Sequence, residues 1–109
     1  MSRLSRDFDP VEPTTKRWFY IDFGPELASL PANEIIQVAS FTCSVVRGVD
    51  PAPQSHVLSQ VAIVGSAIGA FCGNFLPGVT YSLEATASTS AGNILPNNAR
   101  LYCQGPNDL

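Results

Sequence analysis

Residues 81–88 constrain the fold more than any other stretch of the chain. Tyr81, Leu83, Ala85 and Ala87 alternate strictly with Ser82, Glu84, Thr86 and Ser88. A period of two puts the first set on one face of a β-strand and the second on the other, so the segment predicts a strand with one dry side and one wet side. Pro77-Gly78 before it suits the centre of a type II turn, and the small residues Thr89 to Gly92 turn the chain after it.

The rest of the chain reads in the same way. Lys16–Phe23 predicts a first strand, with Trp18, Tyr20 and Asp22 on one side and Phe19, Ile21 and Phe23 on the other. Apolar residues on both sides imply that both faces are covered, which singles out Trp18 and Tyr20 as candidate interface residues unless they lie beneath the N-terminal segment. Gly24-Pro25-Glu26 breaks this strand, and a loop runs to Asn33. In the second strand, within 34–46, Phe41, Cys43 and Val45 are out of phase with Ile36 and Val38. A bulge near Ala39–Ser40 would bring both sets to the core. Val57–Val64, Ala67–Phe75 (with Ile68, Ala70 and Cys72 on one face) and Asn98–Cys103 supply further strands. No segment holds ten residues of helical periodicity. Six or seven short strands between turn signals predict an all-β chain, a small antiparallel β-sandwich or a small barrel.

At 109 residues, one domain is expected. The reading divides the chain into an extended N-terminal arm (1–15), the β-sandwich domain (16–104) and an irregular tail (105–109). Pro10 and Pro13 deny backbone donors to the arm and keep it extended. Its apolar members Leu4, Phe8 and Val11 are candidate anchors on a partner, and the arm is expected to be dispensable for folding.

Only 14% of residues are charged, and the net charge is −3. The shortage of charge fits a surface covered by other proteins or by copies of the chain, or one rich in Ser, Thr and Asn. The cations near the start are interleaved with acids, which excludes an electrostatic footprint for nucleic acid. No apolar run reaches the roughly 18 residues that cross a membrane, and the first residues lack the apolar centre of a signal peptide, so a cytoplasmic start is expected. Cys43, Cys72 and Cys103 fall in no CxxC pair. They read as buried small hydrophobes, or alternatively as thiols that oxidise with a neighbouring chain. His56 reads as a solvated turn residue. The carboxylates are scattered, no calcium-loop spacing appears, and the glycines form no phosphate loop. No catalytic, metal or cofactor residue is assigned, and the chain is not expected to be an enzyme.

In order, Trp18-Phe19-Tyr20-Ile21-Asp22-Phe23, Asn33-Glu34-Ile35-Ile36, Ala39-Ser40-Phe41-Thr42-Cys43, a glycine-rich strand containing Ile68, Gly78-Val79-Thr80-Tyr81-Ser82-Leu83 and Thr86-Ala87-Ser88-Thr89-Ser90-Ala91-Gly92 resemble the small bacteriophage virion proteins of the fibre–tail adaptor type. The likeness spans about residues 18–103, with Asn33 in place of a glycine, Phe41 in place of a tryptophan, and three cysteines added. It implies an immunoglobulin-like sandwich and a structural role in the virion. The protein would be assembled in the host bacterial cytoplasm and arranged in several copies around the particle axis. It would link the tail tube or head–tail connector to a fibre or collar protein. Two alternatives are a capsid decoration protein, set apart by copies per particle, and a carbohydrate-binding module using Trp18, Tyr20 and Tyr102.

Overall fold

The computed structural model describes residues 7–105. Its strands, in chain order, are β1 (Lys16–Asp22), β2 (Ile36–Arg47), β3 (Ala62–Val64), β4 (Ala67–Gly73), β5 (Thr80–Thr89) and β6 (Ile94–Tyr102). A single helical turn, α1 (Gly24–Ala28), follows β1, and a 3₁₀ turn (Pro53–His56) precedes β3. The strands form two antiparallel sheets, ordered β1-β4-β3 and β2-β5-β6. With β1 to β6 standing for strands B to G, this is the B-E-D and C-F-G arrangement of an immunoglobulin-like sandwich.

The period-two reading of β1, β4 and β5 is realised in the packing. Phe19, Ile21 and Phe23 face Ile68, Ala70 and Cys72 within one sheet, and Phe41, Cys43, Tyr81, Leu83, Ala85, Ala87 and Leu101 meet them from the other. Each is under a tenth exposed. A fully buried side chain of the size of Leu83 or Ile68 contributes about 1.5–3 kcal/mol, and the two inner faces together form one continuous core.

Several elements differ from the sequence expectation. The bulges in β2 lie between Ile36 and Val38 and between Val45 and Arg47, not near Ala39–Ser40. The first returns Ile36 to the core and leaves Val38 63% exposed. The strand expected over 57–64 survives only as β3, because the Ser59 hydroxyl accepts the Phe71 N–H (2.9 Å) in place of a ladder carbonyl. β6 begins at Ile94 rather than Asn98. Its Pro96 faces the free edge, where no backbone donor is needed. The segment read as a loop after Phe23 makes a helical turn, with Pro25 in its first positions and Glu26 accepting from Asn97 Nδ2 at 2.8 Å. Glu34 caps the β5–β6 hairpin, accepting from the Thr89 hydroxyl and from Asn93 Nδ2 (3.0 Å).

The arm, so far as it is described, is part of the domain. Residues 7–11 run beside β6, with Phe8 N donating to Arg100 O (3.0 Å), Val11 N to Tyr102 O (2.9 Å) and Gln104 N to Val11 O (2.8 Å). Val11 and Cys103 form a parallel bridge. Val11 is 4% exposed, and Phe8 meets Phe19 edge-on at 5.1 Å. The expectation of a dispensable arm is corrected for residues 7–11, where Val11 fills part of the core and the segment covers the edge of β6.

Candidate interaction site

β1 sends Phe19 and Ile21 inward, so its alternation must send Trp18 and Tyr20 outward. Register then decides their neighbours. Trp18 lies beside Phe71 and Tyr20 beside Gly69 on β4, and Ala62 of β3 lies beyond Gly69. Trp18 and Tyr20 are 41% and 45% exposed. Their rings are nearly parallel (17°) with centroids 6.0 Å apart, and Phe71 sits 6.1 Å from Trp18. Leu58, whose N–H donates to Phe71 O at 2.8 Å, continues the row and is itself exposed.

Gly69 is required for this arrangement. A Cβ there would stand 2.4 Å from Tyr20 Cδ1 and 2.8 Å from Phe19 O, so only glycine lets the Tyr20 ring lie across β4. Lys16 and Asp22 stand at the two ends of β1 on the same face. The result is an open aromatic and aliphatic strip between a cation and an anion. Large aromatic side chains of this kind carry most of the binding energy where a partner excludes water from them. The described part of the arm does not cover the strip: Phe8 turns inward to Phe19.

A second cluster is polar and buried. Asp50 Oδ2 lies 2.6 Å from His56 Nε2 and accepts from the Tyr81 hydroxyl at 2.7 Å. The hydroxyl in turn accepts the Leu76 N–H at 3.0 Å. His56 Nδ1 lies 3.1 Å from Gly73 O, which can only accept, so that nitrogen carries a hydrogen. Asp50 Oδ1 accepts from Ala52 N at 3.0 Å. The side chains of His56 and Asp50 are 6% and 4% exposed. Burial pushes the Asp50 carboxyl up, but the Tyr81 hydroxyl, the His56 ring and the Ala52 N–H outweigh it and hold the group below its ordinary range. Burial, aided by Asp50, pushes the Tyr81 phenol up. Every polar atom in this cluster is engaged in tying the 50–56 loop and the corner before β5 to both sheets. Tyr81 takes the place of the tyrosine corner of immunoglobulin-like domains. His56 as a solvated turn residue is thus corrected: it is a buried residue of the corner.

Of the residues singled out in the sequence, Trp18 and Tyr20 come together on the open face. Phe8 and Val11 pack into their own domain, and Leu4 lies outside the described residues. Tyr102 is half-buried on β6, in the other sheet, away from Trp18 and Tyr20. Cys43, Cys72 and Cys103 are free and buried. Burial pushes Cys43 and Cys72 up to about 12 and raises Cys103, so all three sit as core hydrophobes and none is presented to a neighbouring chain. Sequence reasoning missed Phe71, Gly69 and Leu58, which join the strip only through strand register. It also missed Asp50 and His56; their spacing across Pro51 and Pro53 was a weak signal for a loop closed on itself.

A depression of about 550 Å³ over β5 and β6 is lined by Glu84, Ala85, Thr86, Pro96, Asn97 and Asn98. The fold and the open strip define a class, an immunoglobulin-like sandwich with one bare aromatic sheet face. No family model, curated protein or solved structure matches the chain.

Proposed function

We propose that this chain is a non-enzymatic structural module that binds other proteins through the Trp18–Tyr20–Phe71 strip, and that it serves as an adaptor in a bacteriophage particle, linking the tail or head–tail connector to fibres or collar. The observation that carries the docking role is the exposed, near-parallel Trp18–Tyr20 pair on a sheet face that no other described residue covers. The phage setting rests on the ordered sequence motifs that resemble fibre–tail adaptors. The low charge of the chain supports assembly with other proteins and with its own copies. Strength in such a particle comes from repetition of a modest contact rather than from one large interface.

The test is quantitative mass spectrometry of purified particles, with wild type and Trp18→Ala/Tyr20→Ser compared. Six to a few dozen copies, lost in the double variant while its melting temperature is kept, is the expected result. Hundreds of copies would move the protein to the capsid surface as a decoration protein. Absence from particles together with a positive glycan array would replace the reading with carbohydrate binding, since sugars also stack on exposed aromatic rings.

A further inference from the structure

A sheet face that carries its charges at its two ends has a direction, and that direction restricts what can lie on it. The outer positions of the β1-β4-β3 sheet are Lys16, Trp18, Tyr20 and Asp22 on β1, Gly73, Phe71, Gly69 and Ala67 on β4, and Ala62 and Val64 on β3. Two of these are charged, Lys16 at one end and Asp22 at the other. Trp18, Tyr20 and Val64 are exposed apolar side chains of the same face. Both charged ends are held in place. A Cβ on Gly73 would stand 2.4 Å from Lys16 Cγ, so the Lys16 stem lies across β4 as the Tyr20 ring does at Gly69. Asp22 Oδ1 accepts from Gly24 N at 2.8 Å and from the Ser66 hydroxyl at 3.0 Å. Arg17 turns the other way, its Cζ 5.0 Å from the centroid of the Phe19 ring.

We propose that the occupant of this face is a second copy of the chain, laid face to face about a two-fold axis that crosses β1 at the level of Phe19. The proposal rests on the reading of the strip as a docking surface, and it names what docks there. Along β1 the outer face runs cation, aromatic, aromatic, anion. Turned end for end, this row is its own complement. Lys16 of each copy meets Asp22 of the other, and Trp18 of each meets Tyr20 of the other. On β4 the same rotation sets Phe71 opposite Gly69, a large residue opposite a small one. A parallel arrangement of the two rows would put Lys16 on Lys16 and Asp22 on Asp22, so the charges select the antiparallel one. An unrelated protein would have to present this row in reverse, whereas a second copy already carries it. The seven residues of β1 span about 23 Å, and three strands about 14 Å. Such a face falls well short of the ~800 Å² per partner of a standard interface, so a reversible dimer is expected, with a dissociation constant on the order of 100 μM.

Sedimentation equilibrium of the full chain at low salt, up to about 1 mM or roughly ten times that constant, tests this. The wild type is expected to dimerise. Trp18 is the sole tryptophan, so its emission is expected to move to the blue with concentration as the ring leaves water. Trp18→Ala alters an exposed side chain and is expected to keep the melt and lose the dimer. Lys16→Glu and Asp22→Lys each set like charges at both ends of the contact and are expected to weaken it about tenfold, less at high salt. An equimolar mixture of the two is expected to restore it, because each substituted position then faces an opposite charge. Asp22→Lys gives up the bonds to Gly24 and Ser66, so its melt is checked first; Asp22→Asn keeps the Oδ1 acceptor and takes its place in the mixture if it melts low. A wild type that stays monomeric at about 1 mM overturns the proposal. If Trp18→Ala/Tyr20→Ser is nevertheless lost from particles, the strip docks a different protein and the docking reading stands. A dimer indifferent to Trp18→Ala overturns the proposal too, since copies then meet elsewhere. So does a dimer that needs Trp18 but is not restored in the mixture, since the rows then do not meet end for end.

Discussion

Tyr81→Phe removes one oxygen from the interior and leaves the ring. The aromatic packing stays, with Phe75 at 5.0 Å and His56 at 5.3 Å between ring centroids, so the loss of stability measures the hydroxyl alone. That oxygen donates to Asp50 Oδ2 at 2.7 Å and accepts the Leu76 N–H at 3.0 Å. A hydrogen bond to a charged group contributes about 1.5–3 kcal/mol, and a buried orphaned donor costs about 1–3 kcal/mol. Leu76 is 38% exposed, so water takes over part of the second term. The Asp50 side chain is 4% exposed, so water does little for the first. The expected loss is about 2–4 kcal/mol. For a domain of this size it lowers the melting temperature by roughly 10–30 °C. Urea unfolding followed by circular dichroism measures it, with the slope m unchanged if the native state stays closed. Tyr20→Phe is the control: the same atom is removed from an exposed ring, and a change within about 0.5 kcal/mol is expected. If Tyr81→Phe also falls within about 0.5 kcal/mol, the Tyr81–Asp50–His56 network is not what ties the 50–56 loop to the two sheets.

The remaining predictions concern acid, thiols and the strip. Asp50 and Glu34 are both held below the ordinary carboxylate range. Each therefore stabilises the fold fully above the unfolded value of about 4, and that stabilisation is lost as pH falls through the lower folded value. Asp50→Asn is expected to melt lower than wild type at neutral pH and to lose less on acidification, and parallel acid limbs in the two proteins would contradict this. Cys43, Cys72 and Cys103 are expected to react with an aromatic disulfide reagent only at the rate of unfolding, and a fast native reaction at any of them would show an open route to the core. Gly69→Ala forces the new methyl against Tyr20 and the fixed Phe19 carbonyl. It should cost about 1–3 kcal/mol and shift Trp18 fluorescence as the neighbouring ring is displaced, while an unchanged spectrum and melt would show that the ring does not lie across β4.

The sequence made legible whatever depends on period alone. The face of β5 that holds Tyr81, Leu83, Ala85 and Ala87, the inward face of β1 and the trio Ile68, Ala70 and Cys72 all follow from alternation between a dry and a wet side. Where a side-chain group competes with the ladder, alternation misleads. The Ser59 hydroxyl takes the Phe71 N–H and shortens β3, and the extra residue near Gln37 moves the bulge in β2. His56 was illegible for a related reason. Its environment comes from Gly73, Asp50 and Tyr81, which belong to three different parts of the fold, and no local rule brings them together. The arm misled because prolines mark extended chain, and extended chain pairs with an edge as readily as it projects into water.

Trp18 and Tyr20 show the limit most clearly, and they also bear on function. Apolar residues on both sides of a strand say that two faces want cover, but not what covers them. The arm is one answer, and its described part lies elsewhere, with Phe8 packed on the inner side against Phe19. The face that remains belongs to the β1-β4-β3 sheet, so a partner on Trp18, Tyr20 and Phe71 would meet side chains standing out from one sheet and leave the β2-β5-β6 sheet untouched. Trp18→Ala is therefore expected to act on docking alone, because the buried Tyr81–Asp50–His56 network that ties the 50–56 loop to the sheets lies away from that face.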